Sequence, residues 1–360
     1  MTMRSFWSAV LVLGCFSADA ALADNLYLAG GKEIFDVEVK KADAKEVVYV
    51  KEGKRETLEA WQVEYIEYSD VPVAYVEAYE AYQNGRQDAA ALFDKCLQDQ
   101  RLLKKHKWLQ STASYFQALA LKDARDHKNA SAKLEAFVND AASKESYLYP
   151  LALMALSDWN KNDSKWADRI VEESKSGAIS GKWQFDARIY LIRKVKDEAQ
   201  MRKQLEELAA EPAAQAYPGV RYRVMTTMAG IDIKGGAFDK AEKVYAQIAS
   251  ANDAEDAVLA EAFYGLGVSR FALWERAKPE DQAKSFSSTW EPLLNTYVTY
   301  KATLDPVQAQ EMLYKAAAVF YSSSEPGFEQ RATALVEKLR SLPGDSEWKT
   351  KADKLKPKGK

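Results

Sequence analysis

Two histidines, one interior cysteine and a few carboxylate pairs are the residues best suited to chemistry in this sequence, and their spacing argues against it. His106 and His127 each stand beside lysines, with no second histidine, cysteine or carboxylate at metal-ligand spacing. Cys96 falls on an apolar stripe with Ala89, Phe93 and Leu97. That is the setting of a small buried hydrophobe, whereas a nucleophile needs a neighbour that stabilises the thiolate. Glu172-Glu173 and Glu206-Glu207 are adjacent in sequence. On a helix, adjacent side chains diverge by about 100°, so neither pair can act as acid and base across one substrate. Gly30-Gly31 and Gly235-Gly236 lack the spacing and the Lys-Ser/Thr of a phosphate loop. The sequence therefore predicts no catalytic residue, no bound cofactor and no metal site.

Aromatic residues are the other chemical resource: 9 Trp, 19 Tyr and 13 Phe, with Trp108, Trp159, Trp166, Trp183, Trp274 and Trp290 spread at about one per helix pair. Most are expected as wedges between helices, where each covers a large apolar area. The alternative is a carbohydrate- or cell-wall-associated binding factor or enzyme that stacks exposed tryptophans on sugar rings. No Asp/Glu constellation can be placed on one face to serve such an enzyme.

Charge supports an interaction surface of no special polarity. Fifty Lys+Arg against 53 Asp+Glu give a net charge of −3, and the signs alternate along the chain instead of clustering as a nucleic-acid footprint would. Residues 1–23 read as a secretory signal: Arg4, an apolar run from Phe6 to Phe16, and Ala21-Leu22-Ala23 as a cleavage site before Asp24. The expected location is periplasmic or secreted. Leu11-Val12-Leu13-Gly14-Cys15 also resembles a bacterial lipoprotein signal; only lipidation of Cys15 would tie the protein to a membrane.

Two kinds of element must carry whatever the protein does. Over residues 24–69, Ile34 to Val39, Val47 to Val50 and Val63 to Tyr68 alternate apolar and polar positions, with turns at Gly30-Gly31 and Glu52-Gly53-Lys54. About five short strands result, too few for a sandwich. The order of strand, Gly-Gly turn, long bent strand, Gly-containing hairpin and a last strand reading V-x-x-I-x-Y resembles the small Sm-like or SH3-like barrels that precede helical repeats in some exported proteins. From Asp70-Val71-Pro72 to about residue 342 the period is helical. Breaks are expected at Asn84-Gly85, His127-Lys128-Asn129, Asn160 to Ser164, Gly235-Gly236 and Glu325-Pro326-Gly327. Residues 343–360 are lysine-rich with Pro357 and Gly359, and read as a flexible tail.

The helical part repeats a pattern. In GGAFDKAEKVYAQIA, residues 235–249, Ala241 lets two backbones approach and Tyr245 fills the gap one turn on. Ala89, Phe93 and Leu97 match Ala241, Tyr245 and Ala249; Ala130, Leu134 and Phe137 give a looser copy. The partner helices carry Ala118, Ala229 and Gly267 at the close crossing. Together these features resemble tetratricopeptide repeats, whose unit is a helix–turn–helix of about 34 residues. The expected fold is mainly α: a solenoid of six or seven tetratricopeptide-like hairpins in a right-handed superhelix, preceded by a small five-stranded β-barrel. Such arrays bind another protein or peptide in a groove lined by first helices. First-helix residues that packing does not claim are Tyr115, Lys122, Arg221, Arg223, Arg270 and Tyr314, and they are the candidate groove residues. The short strand-to-helix junction, with Val71, Val73, Val76 and Tyr79, is expected to dock the β module as a cap on the first hairpin.

Overall fold

The computed structural model describes residues 23–29, 31–160, 163–300 and 304–356. The expected export segment, Cys15 included, lies outside the described residues apart from Ala23. The chain is mainly helical, with a five-stranded antiparallel sheet in front, and it divides into two compact units, one ending at Val195 and the other beginning at Lys196.

In the first unit the strands are β1 (Asp24–Leu28), β2 (Glu33–Ala42), β3 (Glu46–Lys51), β4 (Lys54–Glu59) and β5 (Val63–Glu67), in the order β4-β3-β2-β1-β5. Glu52 and Gly53 both take positive φ, the two-residue turn whose twist matches the strands it joins, and Lys51 faces Lys54 across it. The long β2 is shared between two halves of the sheet. It bends where the register shifts between Val39 and Lys41 and where Asp36 takes a φ of 60°. The expected barrel is thus a bent sheet with β4 and β5 as its edges; the ladder does not close between them among the described residues.

Helices α1 (Val73–Gln83), α2 (Ala89–Gln98), α3 (Gln100–Lys105), α4 (Lys107–Asp123), α5 (His127–Asn139), α6 (Tyr149–Trp159), α7 (Lys165–Lys175) and α8 (Lys182–Ile192) complete this unit. The chief hairpins are α1–α2, α4–α5 and α6–α7, each closed over small residues. Ala89, Ala118 and Ala130 are fully covered at those crossings, and Phe93, Leu134 and Phe137 fill the space beside them. The helix ends share one device. After α1, the N–H of Gly85 bonds to the Tyr82 carbonyl and that of Arg86 to Ala81, with Gly85 left-handed. Gly177 and Gly236 end their helices in the same way.

One break differs from expectation. The chain turns at Ala124–Asp126, and His127 already begins α5. Arg125 occupies the left-handed position, at φ 66°, that glycine takes elsewhere, and the Asp126 carboxylate caps α5 by accepting the Asn129 N–H.

The second unit holds α9 (Glu198–Ala210), α10 (Pro212–Gln215), α11 (Pro218–Lys234), α12 (Phe238–Ala249), α13 (Asp256–Arg276), α14 (Pro279–Lys284), α15 (Phe286–Tyr300), α16 (Pro306–Tyr321), α17 (Phe328–Ser341) and α18 (Glu347–Ala352). Its main pairs are α11–α12, α13–α15 and α16–α17. Tyr245 is their clearest wedge: its ring lies against the backbone of Gly265, and its hydroxyl donates to the Thr226 carbonyl at 3.2 Å. Gly267 similarly admits Leu293 from α15. The lysine-rich segment after residue 343 contains α18, which packs on α16 and α17 with Ala352 buried, so it is ordered structure where a flexible tail was expected. Trp348 supplies the apolar anchor that composition alone underweights.

Candidate functional site

The faces made by first helices are the ones expected to bind, and in each unit the structure shows what such a face holds. In the first unit it holds the sheet. Tyr65 of β5 stacks on Tyr79 of α1 with ring centroids 5.1 Å apart and meets Phe116 of α4 edge-on at 6.0 Å. Tyr68 stacks on Trp108 at 4.4 Å. Tyr147, just before α6, bonds the sheet twice: its hydroxyl accepts the Ile66 N–H at 3.2 Å, and its own N–H donates to the Ala42 carbonyl at 3.3 Å. Before α8, the Ser180 N–H donates to Ala44 and its hydroxyl to Glu59. Lys182 opens α8 with its ammonium 4.6 Å from the Trp61 ring and 3.6 Å from the Asp186 carboxylate, both charged residues being buried.

The sheet docks on the first hairpin through Tyr79, as expected, but two of the other residues named for it do not take part. Val73 is 83% exposed and Val76 37%, so those valines do not dock the sheet. Tyr75 and Tyr79, four apart, share the opposite stripe of α1 and do the packing. The sheet also extends past the first hairpin, touching the starts of α6 and α8 as well as α1 and α4. Burial pushes the Tyr65, Tyr75 and Tyr147 phenols well above their ordinary range, with neighbouring tyrosines adding to the effect.

In the second unit the face of α16 holds the segment that follows α17. Gln310, which is 1% exposed, donates from Nε2 to the carbonyls of Pro343 (2.8 Å) and Gly344 (3.1 Å), and its Oε1 accepts from the Ser346 hydroxyl. One turn on, Tyr314 meets Trp348 at 5.3 Å. Beneath them runs a covered polar chain in which Tyr264 donates to Glu311 at 2.6 Å and Lys315 pairs with the same carboxylate at 3.1 Å. Burial, and then the Glu311 charge, raise the Tyr264 phenol far above its usual value.

The six residues anticipated from sequence fall in both units. Tyr115 is buried against Phe116 and Phe137, and Lys122 lies over the Trp159 ring at 5.1 Å. Arg221 is exposed, with its guanidinium over Tyr222. Arg223 reaches Glu255 at 2.8 Å, and Arg270 spans from Glu242 to the Ser288 carbonyl, so both brace neighbouring helices. Tyr314 lies under Trp348. Tyr147, Ser180, Lys182 and Gln310, which make the contacts above, gave no signal in sequence, since each is an ordinary polar or aromatic residue beside a helix start or within a helix.

Three of the residues considered for chemistry are taken up by packing or by structural bonds. Cys96 is buried, and burial pushes its thiol up, away from the reactive thiolate. His106 is buried beside Asp70, and Lys105 bonds the same carboxylate at the strand-to-helix junction. Glu173 accepts from Tyr149 and Arg169. Among the described residues no group of three His, Cys, Asp or Glu could hold a metal, and no helix is long and apolar enough to cross a membrane. An open depression of about 720 Å³ lies between α7 and α8, lined by Asp168, Val171, Glu172, Lys175, Arg188 and Leu191. None of the eight described tryptophans is exposed as a stacking platform. In comparison with known proteins, the chain matches no family model and no curated protein sequence.

Proposed function

We propose that this chain is a non-enzymatic, exported interaction scaffold whose tetratricopeptide-like hairpins bind another protein or peptide, with an SH3-like module built into its first unit. The observation that carries the reading is that hairpin faces in both units already hold polypeptide, through bonds to main-chain groups. Ala42 and Ala44 are held in the first unit, Pro343 and Gly344 in the second. Main-chain bonds give affinity, and flanking aromatic contacts give selectivity. Because the sheet occupies the first-helix face of the first unit, partner binding falls to the surfaces it leaves open and to the second unit. Export is supported by the role of Asp24, the residue after the cleavage site. Its carboxylate accepts from the N–H groups of Val39 (2.9 Å) and Ser69 (2.8 Å), so the first residue of the expected mature chain is built into the fold.

The test is crosslinked capture from the exported fraction with the full chain, comparing wild type with Lys122→Glu and Arg221→Glu. A partner held by wild type should fall at least about tenfold in one variant, as when a central contact is lost. Equal recovery in all three would refute the groove. Sequencing the recovered protein should give Asp24 as its first residue; a blocked, acylated Cys15 would place it on a membrane instead.

A further inference from the structure

The segment on α16 has the features of a bound peptide. Its helix α18 is six residues long, well short of the roughly 12–15 at which an isolated helix holds together in water. Its conformation therefore depends on what it lies against. Gln310 bonds to two main-chain carbonyls and to the Ser346 hydroxyl, a clamp indifferent to most side chains. Selectivity enters at Trp348, which sits against Tyr314 and within 5.6 Å of the Lys315 ammonium. After Trp348 the segment carries Lys349, Lys351, Lys354 and Lys356 against Asp353, with Asp345 and Glu347 before it. On the receiving side, Glu311 is the one carboxylate whose charge reaches the segment's Lys351, after the Glu347 bond within the segment itself.

Outside this clamp the segment is held by few groups. Lys349 donates to the Leu342 carbonyl at 2.7 Å, and Ala352 is the one buried side chain that α18 adds to the core. Lys351–Glu347 lies within the segment, and Arg340–Asp353 is an exposed pair, of a kind that contributes little. The rest of that core, Leu313, Ala317, Phe320, Ala332, Val336 and Leu339, joins α16 to α17 directly. A terminal segment that adds one small side chain to a stable pair of helices can open locally without unfolding them.

We infer that the face of α16 bearing Gln310, Glu311, Tyr314 and Lys315 is a peptide-recognition site for a segment with a tryptophan followed by lysines. Residues 343–356 are its built-in occupant, displaced by a partner segment of the same chemistry. The inference rests on the reading of hairpin faces as polypeptide-binding surfaces and names the partner's chemistry for one of them. The tether gives the built-in segment an effective concentration on the order of millimolar, so an outside peptide competes poorly until the occupant is weakened.

The experiment uses the full-length chain and a fluorescent peptide with the sequence of residues 343–356, read by anisotropy. Trp348→Ala loosens the occupant and leaves the receiving face intact. It should bind the peptide at least about tenfold more tightly than wild type, and adding Gln310→Ala should remove that gain. Equal binding by wild type and Trp348→Ala, or a gain that survives Gln310→Ala, overturns the proposal. Hydrogen exchange on wild type gives a second reading that needs no variant. Amides of Lys349–Leu355 should exchange at least about a hundredfold faster than those of Leu313–Val319, and equal protection would make α18 a fixed part of the core and overturn exchange. Because the capture experiment turns on Lys122 and Arg221, a failed peptide exchange removes this site alone and leaves the scaffold reading to its own test.

Discussion

Gly265→Ala isolates the closest helix crossing in the second unit. A Cβ at Gly265 would lie 2.2 Å from Cζ of Tyr245 and 2.3 Å from Cε2. Carbon atoms in ordinary contact stand about 3.5–4.0 Å apart, so the ring must retreat by more than about 1 Å. It has little room. Tyr245 is 3% exposed, and its hydroxyl is tied to the Thr226 carbonyl at 3.2 Å. Overpacking of this kind costs about 1–3 kcal/mol, and loss of the hydroxyl bond adds roughly 1 kcal/mol. Better helix propensity returns about 1 kcal/mol. The net expectation is destabilisation by about 1–3 kcal/mol, or a urea midpoint lower by roughly 1 M for a typical slope. Gly230→Ala is the control. It faces the same side chain, but its added Cβ would meet only the Tyr245 hydroxyl, at 3.7 Å. That is ordinary contact, so the helix-propensity gain should survive and the midpoint should hold or rise. Urea denaturation followed by far-ultraviolet circular dichroism and tryptophan fluorescence measures both variants. An unchanged or raised midpoint for Gly265→Ala would refute the ring-on-backbone crossing.

Two further outcomes can be checked. Arg125→Gly removes a side chain from a left-handed position and should stabilise the first unit by about 1 kcal/mol, seen as a higher thermal midpoint; a drop would show that the Arg125 side chain has a role of its own. The tyrosines between sheet and helices are buried and neutral, with phenol pKa values raised above the ordinary 10.0. Their contribution to stability is complete below pH 10 and is lost as pH rises from there toward the folded-state values. Absorbance near 295 nm should therefore show these phenols ionising only together with alkaline unfolding of the first unit, and free titration around pH 10 in the folded protein would contradict their burial.

Repetition made most of the fold legible. Ala89/Phe93, Ala130/Leu134 and Ala241/Tyr245 recur because a hairpin must pair a small residue with a filler, and the strands of 24–69 show period two because one face is buried. Arg125 hid a helix end, since nothing in its type announces positive φ. Docking on the first hairpin was legible through Tyr79, whereas Val73 and Val76 were wrongly enlisted, since the position of a side chain around the helix, and not its apolarity, decides which face it joins. The first-helix contacts were the least readable part. Tyr147, Ser180 and Gln310 act through main-chain partners 81 to 136 residues before them or 33 to 34 after, and no local pattern encodes such distances.

The seating of the sheet also sets an order of events during synthesis. All five strands leave the ribosome before Tyr147, Ser180 and Lys182 exist to receive them. Until then the inward side of the sheet, with Leu26, Val47, Val63 and Ile66, has only α1 and α4 to pack on and lacks the contacts made before α6 and α8. An incomplete chain therefore carries an apolar surface and open strand edges, the features that draw chaperones or promote aggregation. On the export proposed above, that delay is useful: the first unit cannot complete itself early, and so stays loose enough to be threaded until residues near 180 have followed.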